Sequence, residues 1–291
     1  MATIAHWVEG ARPRTLPAAI SPVVAGSGAA YYADGFVAWK ALLALVVALS
    51  LQVAVNYAND YSDGLRGTDD DRVGPQRLVG SGAAAASAVK AAAFASFGVA
   101  ALCGLVLAAT TAWWLVAVGA VAMLAAWYYT GGSAPYGYRG LGEVSVFVFF
   151  GLVAVVGTTY VQTETVTGMS VPIGVAVGAL ACAILVANNL RDAPTDEAAG
   201  KQTLAVVMGD QNTRVFYLGL LAVGFLVLFG IGWTQTRWAF LGLLAAPLAG
   251  LAAQPVRDDV TGPGLVRTLK LTGICELVYA VGLTAGLVIA A

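Results

Sequence analysis

Long apolar stretches separated by short polar ones make up most of this chain. A helix that crosses a membrane needs about 20 mostly apolar residues. Nine stretches approach or meet that requirement, at 16–33, 38–58, 86–108, 111–129, 143–162, 170–190, 214–233, 237–254 and 268–290. We therefore predict an all-α integral membrane protein with nine transmembrane helices.

The basic residues between these stretches fall almost entirely on one side of the predicted membrane. With a cytoplasmic N-terminus, Lys40 and Arg237 lie outside and the other basic residues lie inside. Cytoplasmic connections of membrane proteins carry an excess of Lys and Arg. The cytoplasmic connections here are also the longer and more polar ones. We therefore predict that the N-terminus and the functional site are cytoplasmic.

Composition supports the membrane assignment. The chain is 59% hydrophobic and 11% charged, with a mean hydropathy of +0.80, whereas soluble domains average about 25% charged residues. The net charge of −1 identifies no partner, and we expect no nucleic-acid partner. Cys103, Cys182 and Cys275 lie apart in apolar stretches, which predicts packing roles.

A dense acidic segment follows the second apolar stretch. Residues 56–72 hold five aspartates and two asparagines. Asn59 and Asp63 are four residues apart, so they share one face if the helix continues this far. The candidate metal ligands of this segment are Asn59, Asp60, Asp63, Asp69 and Asp70.

A second acidic segment, residues 188–201, follows the sixth apolar stretch and repeats this spacing. Asp192 and Asp196 are again four residues apart, and Pro194 between them indicates a kink or a helix end. Four predicted spans separate Asp63 from Asp192, and an even number returns the chain to the same side. This arrangement indicates a parallel four-helix repeat followed by a final helix, with a site between the halves.

Carboxylates on two facing helices are typical of magnesium sites. Mg²⁺ prefers hard oxygen ligands and usually combines one or two carboxylates with phosphate oxygens and water. Two other interpretations stay open, namely acids of a cation-coupled transporter and a solvated acidic loop. Matched spacing in two clusters on one face favours the metal site.

Basic and aromatic residues accompany the acids. Arg and Lys bind diphosphate oxygens, and the candidates are Arg72, Arg77, Arg139, Arg191 and Lys201. Tyr129 and Tyr138 lie near Glu143 in the connection before the fifth span. They are either ordinary interface tyrosines or the lining of a pocket for a ring substrate.

Four stretches together resemble the UbiA superfamily of intramembrane aromatic prenyltransferases, over nearly the whole chain. They read RPRTLPAAISPVVAG, NYANDYSDGLRGTDDDRVGPQRLV, GLGEVSVFVFFG and NNLRDAPTDEAAGKQTLAV. Within the superfamily the chain is most similar to the 1,4-dihydroxy-2-naphthoate prenyltransferases of menaquinone synthesis. The resemblance implies one domain, residues 1–291, with nine helices around a central cavity that opens laterally to the lipid bilayer.

The resemblance also assigns the acidic residues. Asn59 and Asp63 match the first two positions of the superfamily's Asn-x-x-x-Asp-x-x-x-Asp motif. The third position here is Gly67, so Asp69 or Asp70 is expected to replace that ligand. Asp192 and Asp196 match the second motif, and Lys201 matches the Gly-Lys that follows it.

The implied reaction is a Mg²⁺-dependent transfer of a polyprenyl group from polyprenyl diphosphate to an aromatic acceptor, 1,4-dihydroxy-2-naphthoate. It releases CO₂ and gives demethylmenaquinone at the cytoplasmic side of the cell membrane. Asp63, Asp192 and Lys201 are the expected catalytic residues. The expected acceptor-binding residues are Arg14, Tyr129, Tyr138 and Glu143.

Two alternatives remain open from sequence. One is a family member with another acceptor, such as 4-hydroxybenzoate, homogentisate or haem, and the other is the transporter. A CDP-alcohol phosphotransferase is disfavoured because its DG-x-x-AR signature is missing from the chain.

Overall fold

The computed structural model describes residues 2–67 and 77–291, and these residues form a bundle of α-helices. The predicted all-α architecture is therefore confirmed. In chain order the helices α1 to α11 are Ile4–Gly10, Pro17–Tyr32, Ala38–Arg66, Ala86–Ala109, Leu115–Tyr128, Gly142–Thr163, Ser170–Ala198, Leu204–Met208, Asp210–Thr234, Arg237–Arg257 and Gly262–Ala290. Helix α10 opens with the 3₁₀ turns of Arg237–Ala245.

Seven helices of the described ranges are long and apolar enough to cross a membrane: α3, α4, α6, α7, α9, α10 and α11. The first and fourth predicted spans are shorter helices, α2 with 16 residues and α5 with 14. The count of nine spans therefore stays a prediction.

Two helices of 29 residues, α3 and α7, carry the acidic segments. Helix α3 continues to Arg66, so Asn59 and Asp63 are helical as expected. It ends at Gly67, whose φ of 73° is the left-handed conformation that glycine adopts without a Cβ penalty. Helix α7 continues past Pro194 and ends at Ala198. The Ala199 amide donates to the Thr195 carbonyl (3.0 Å), so helical hydrogen bonding is present after the proline.

Helix α7 lies at the centre of the bundle and is the most buried of the seven long helices. The main hydrophobic core surrounds it with residues of α2, α9, α10 and α11. A smaller core joins α3, α4 and the N-terminal helix α1 through Tyr57, Leu78 and Val89. The first core therefore holds α7, and the second holds α3 against α1 and α4.

Small residues allow α6 and α7 to approach closely. Helix α6 contains a π-helical segment, Phe147–Val153. A Cβ atom on Gly151 would lie 2.5 Å from the Cα atom of Gly178 and 2.6 Å from the carbonyl oxygen of Gly174. Close packing of small residues is a common way in which membrane helices associate.

The outer surface is apolar, and exposed tryptophans lie at one end of it. Large hydrophobic side chains on α4, α5 and α9 are exposed, such as Leu102, Leu124 and Leu226. The exposed tryptophans are Trp39, Trp113, Trp114, Trp233 and Trp238. Each lies at a connection that the sequence places outside. Tryptophan is enriched where a membrane meets water, so this surface fits a multi-pass membrane protein.

The glycine contact predicts opposite effects for two alanine variants of α6. We expect Gly151→Ala to lower the free energy of unfolding by about 1–3 kcal/mol, because the added methyl group overpacks the contact with α7. Gly157→Ala is the control, since no atom lies within 4 Å of its added Cβ, and it should be neutral or stabilising by up to about 1 kcal/mol. Thermal unfolding in detergent measures both, and equal midpoints would contradict the packing assignment.

Candidate active site

Polar side chains from three parts of the chain meet at one end of the bundle. They come from the last turns of α3, the last turns of α7 and the connection between α5 and α6. Asp63 of α3 is 3% exposed and Asp192 of α7 is 4% exposed. Buried carboxylates need hydrogen bonds or opposite charges to be tolerated, and each has such partners.

The first acidic segment contacts the α5–α6 connection. The Tyr138 hydroxyl donates to Asp63 Oδ1 (2.7 Å), and the Thr130 hydroxyl donates to Asn59 Oδ1 (2.8 Å). Both acceptors lie on the helix face that the sequence predicts to bind metal. Arg66, at the end of the helix, donates to the carbonyl oxygens of Thr130 and Gly132.

Asp60 has a different environment. Its two oxygens accept hydrogen bonds from the backbone amides of Leu78 (2.8 Å, Oδ2) and Val79 (3.0 Å, Oδ1). Asn56, one turn earlier, donates to the Ala11 carbonyl of the N-terminal segment (2.9 Å). Asp60 is one of the predicted metal ligands, but in the structure it holds Leu78 and Val79 against α3.

The second acidic segment is paired with cations. Arg191 Nε and Nη2 lie 2.6 Å from the two oxygens of Asp192, and Nη2 also donates to Asn188 Oδ1 (2.9 Å). Lys201 Nζ is 3.4 Å from Asp196 Oδ1. The predicted diphosphate-binding residues Arg191 and Lys201 therefore lie directly beside the predicted metal ligands.

Tyr138 joins the two segments. The Nζ atom of Lys201 lies 5.2 Å from its ring centroid, and the guanidinium carbon of Arg66 lies 5.4 Å from it. The same residue donates to Asp63, so a single side chain contacts groups of both acidic segments. The structure thus brings together the residues that the sequence placed four predicted spans apart.

A buried acid, Glu143, and a half-buried tyrosine, Tyr129, lie next to this junction. Glu143 is 4% exposed, and its Oε1 accepts from Asn189 Nδ2 (2.9 Å). Its Oε2 has no hydrogen-bond partner within the described residues. Tyr129 lies near the carboxylates of Glu143, Asp63 and Asp196. Tyr129 is therefore close to an acid of each acidic segment.

The other described basic residues that the sequence singled out differ in their surroundings. Arg77 is 9% exposed and lies beneath α1, beside His6 and Glu9. Arg14, in the 3₁₀ turn Pro13–Thr15, and Arg139 are exposed. Their roles stay predictions. Asp69, Asp70 and Arg72 lie outside the described residues.

Three contributors were not singled out from sequence: Arg66, Thr130 and Asn189. Arg66 lies one turn after Asp63, so a search of that helix face for cations would have found it. The other two act through hydrogen bonds between distant segments, which spacing alone does not reveal.

The donors of this site suit magnesium. Asn59, Asp63, Asp192 and Asp196 offer amide and carboxylate oxygens, which Mg²⁺ prefers over nitrogen or sulfur. In the described parts of the chain, no three His, Cys, Asp or Glu side chains are grouped closely enough to hold a metal by themselves. That sparse set fits an ion that also takes phosphate oxygens and water.

A family model matches most of the chain. Residues 19–262 match the UbiA prenyltransferase family. The chain belongs to the UbiA prenyltransferase family. The resemblance inferred from the motifs is therefore confirmed.

Curated relatives and solved structures agree with this assignment. A 1,4-dihydroxy-2-naphthoate octaprenyltransferase of Mycobacterium tuberculosis is 57% identical, over 99% of this chain and 98% of the relative. The protein of that name in Escherichia coli is 37% identical, over 95% and 94%.

Among solved structures, a ligand-free UbiA homolog from Aeropyrum pernix K1 superimposes with a TM-score of 0.71 at 16% identity, covering 100% of this chain and 99% of that one. A UbiA homolog from Archaeoglobus fulgidus bound to GPP and Mg²⁺ gives a TM-score of 0.65 at 13% identity, covering 96% and 99%. These two likenesses establish the fold.

The hydrogen bonds of Asp60 predict a local effect. We expect Asp60→Ala to accelerate amide hydrogen exchange at Leu78 and Val79 by about tenfold or more, because each loses a charge-assisted bond worth about 1.5–3 kcal/mol. Exchange of both amides in the native protein and in the variant measures this. Asp258→Ala, at an exposed aspartate, is the control and should leave both amides unchanged. Unaltered exchange in Asp60→Ala would contradict the positional role.

Proposed function

We propose that the protein transfers a polyprenyl group from polyprenyl diphosphate to 1,4-dihydroxy-2-naphthoate in a Mg²⁺-dependent reaction. The observation that carries the proposal is that Tyr138 contacts both Asp63 and Lys201, which brings the two acidic segments to one end of an apolar helical bundle. Relatives that bear this activity in their names at 37–57% identity support the choice of acceptor.

In this proposal Asn59, Asp63, Asp192 and Asp196 hold the magnesium, together with Asp69 or Asp70. Bound magnesium would neutralise the diphosphate and make it a better leaving group. The Archaeoglobus fulgidus homologs bound to Mg²⁺ with GPP or DMAPP support such a site.

Arg191 and Lys201 bind the diphosphate oxygens. Both already lie at the site, where they offset the charges of Asp192 and Asp196. Charge-assisted hydrogen bonds from Arg and Lys to phosphate are among the strongest polar contacts in proteins. Arg72, Arg77 and Arg139 are additional candidates for the same role.

The acceptor ring lies beside the α5–α6 connection. Glu143 is buried and Tyr129 is half-buried beside the acidic segments, and Glu143 Oε2 is available for a substrate hydroxyl. Arg14 and Arg139 are candidates for its carboxylate.

The reaction breaks one bond in each substrate and joins the two substrates by a new C–C bond. The allylic C–O bond of the polyprenyl diphosphate breaks, and the ring carbon that bears the carboxylate forms the new C–C bond. The electron pair of the C–CO₂ bond then restores the aromatic ring, and CO₂ leaves. The product is the reduced form of demethylmenaquinone. Apolar walls around the site exclude water that would otherwise capture the allylic cation.

The chain is proposed to cross the cell membrane nine times, with its N-terminus and active site at the cytoplasmic side. Seven long apolar helices, the shorter α2 and α5, and the exposed tryptophans of the opposite end support this topology. The equal length of α3 and α7, each ending in an acidic segment, supports one domain built on a parallel repeat. A membrane location suits a lipid substrate and a lipid product.

Replacing one carboxylate in either segment is expected to abolish most of the activity. Asp63→Asn and Asp192→Asn should each lower kcat/KM for prenyl transfer by about a hundredfold or more. Each variant loses a carboxylate that would hold Mg²⁺, and with it the charge stabilisation of the leaving diphosphate. The control is Asp258→Asn, at an exposed aspartate away from the site. Rates of purified variants over a Mg²⁺ titration measure this, and full Mg²⁺-dependent activity in either variant would refute the proposed site.

The acceptor is tested by a competition among aromatic substrates. We expect purified protein with polyprenyl diphosphate and Mg²⁺ to prenylate 1,4-dihydroxy-2-naphthoate with release of CO₂, and EDTA to stop the reaction. Mass spectrometry of the product, with carboxyl-labelled acceptor for the CO₂, provides the measurement. Preferred prenylation of 4-hydroxybenzoate or homogentisate would assign another acceptor, and cation-coupled solute flux in liposomes without prenyl transfer would indicate a transporter.

A further inference from the structure

Tyr138 occupies an unusual position for a residue expected to bind an aromatic acceptor. Its hydroxyl donates to Asp63 Oδ1 at 2.7 Å. Its ring lies 5.2 Å from the Lys201 ammonium and 5.4 Å from the Arg66 guanidinium carbon. Both ends of the side chain are thus engaged by charged groups of the protein.

The backbone fixes Tyr138 between two connections of the chain. The Gln202 amide donates to the Tyr138 carbonyl oxygen (3.1 Å), and Arg139 forms a parallel β-bridge with Gln202. Gly140 and Gly200 flank this contact with φ values of 72° and 74°, a left-handed conformation that glycine adopts easily. These backbone contacts therefore fix the position of Tyr138 relative to Lys201, which directly precedes Gln202.

Each contact is of a type that depends on charge. An O–H···O⁻ bond is shorter and about twice as strong as a bond between neutral groups. A cation within about 6 Å of an aromatic ring centroid is attracted to the ring. Tyr138 therefore favours one geometry of the Asp63 carboxylate and of the Lys201 ammonium.

We propose that Tyr138 is a positioning residue that holds Asp63 of the first acidic segment and Lys201 of the second in one fixed arrangement. The inference rests on the proposed function, since Asp63 and Lys201 matter through the metal and the diphosphate. It assigns Tyr138 to the assembly of the diphosphate half of the site rather than to the acceptor.

A neighbouring tyrosine provides a matched comparison. Tyr136 lies in the same 3₁₀ turn, Tyr136–Tyr138, but its hydroxyl donates to the Ala125 carbonyl (2.8 Å) and pairs with the Ser145 hydroxyl (2.8 Å). Both of these hydrogen-bond partners are neutral groups. Removing this hydroxyl alters packing and one local network while leaving the charged contacts of Tyr138 in place.

The test compares Tyr138→Phe, Tyr138→Leu and Tyr136→Phe in the full-length purified protein. Calorimetry of inorganic pyrophosphate binding in the presence of Mg²⁺ gives a readout that needs no turnover. Steady-state rates give separate KM values for the polyprenyl diphosphate and for the acceptor. Thermal unfolding of each variant shows whether the fold is intact.

We expect Tyr138→Phe to weaken Mg²⁺–pyrophosphate binding and to raise the KM for polyprenyl diphosphate, each by about tenfold, as loss of one hydrogen bond to a charged group predicts. Tyr138→Leu should weaken both further, because the ring contacts with the cations are also lost. The acceptor KM should change less than about twofold in Tyr138→Phe, and Tyr136→Phe should leave pyrophosphate binding within about twofold of the native protein.

Two results would overturn the inference: unchanged pyrophosphate binding in a folded Tyr138→Phe protein, or an effect confined to the acceptor KM. If Tyr138→Leu fails to fold, Tyr138→Phe alone decides. Failure of the proposed function looks different, because the native protein would then transfer no prenyl group to any acceptor while the calorimetric comparison could still be made.

Discussion

A buried carboxylate is costly unless it is hydrogen-bonded or paired with a cation, and the acidic end of this protein supplies such a partner for each of its central aspartates. Asp63 and Asp192 are buried and Asp196 is largely buried, so little solvent screens their charges. Arg191 and Lys201 offset two of these charges, and the Tyr138 hydroxyl stabilises the third. The same cations are the groups best placed to bind an anionic leaving group.

The rest of the fold serves to present this cluster at the edge of an apolar bundle. Helices α3 and α7 are long enough to carry an apolar segment and then an acidic one without interruption. The central position of α7 and its close contact with α6 at Gly151 leave little freedom for the second segment. The Asp60 side chain accepts from the Leu78 amide, and the Asn56 side chain donates to the Ala11 carbonyl, so both hold other segments of the chain against α3. Within one acidic segment, Asp60 therefore has a structural role, whereas Asp63 is a proposed metal ligand.

Much of this arrangement was predictable from sequence because apolar length and four-residue spacing are local properties. They indicated the helices and the shared face of Asn59 and Asp63, and the motifs identified the family. Spacing could not separate Asp60 from Asp63, since the difference depends on where the chain at Leu78 and Val79 returns. It also could not assign Tyr138, whose partners Asp63 and Lys201 are distant in the chain. Pro194 indicated a kink or a nearby helix end, and the helix ends four residues later at Ala198, because a proline weakens a helix locally without necessarily ending it at that residue.

The central claim is that the two acidic segments form one magnesium–diphosphate site rather than two separate features. A double-mutant cycle on Mg²⁺-dependent pyrophosphate affinity, with Asp63→Asn, Asp192→Asn and the double variant, measures this directly. Groups that act as one unit are strongly non-additive. The account predicts that each single replacement loses nearly as much affinity as the double one. Additive losses, or unchanged affinity in either single variant, would contradict it.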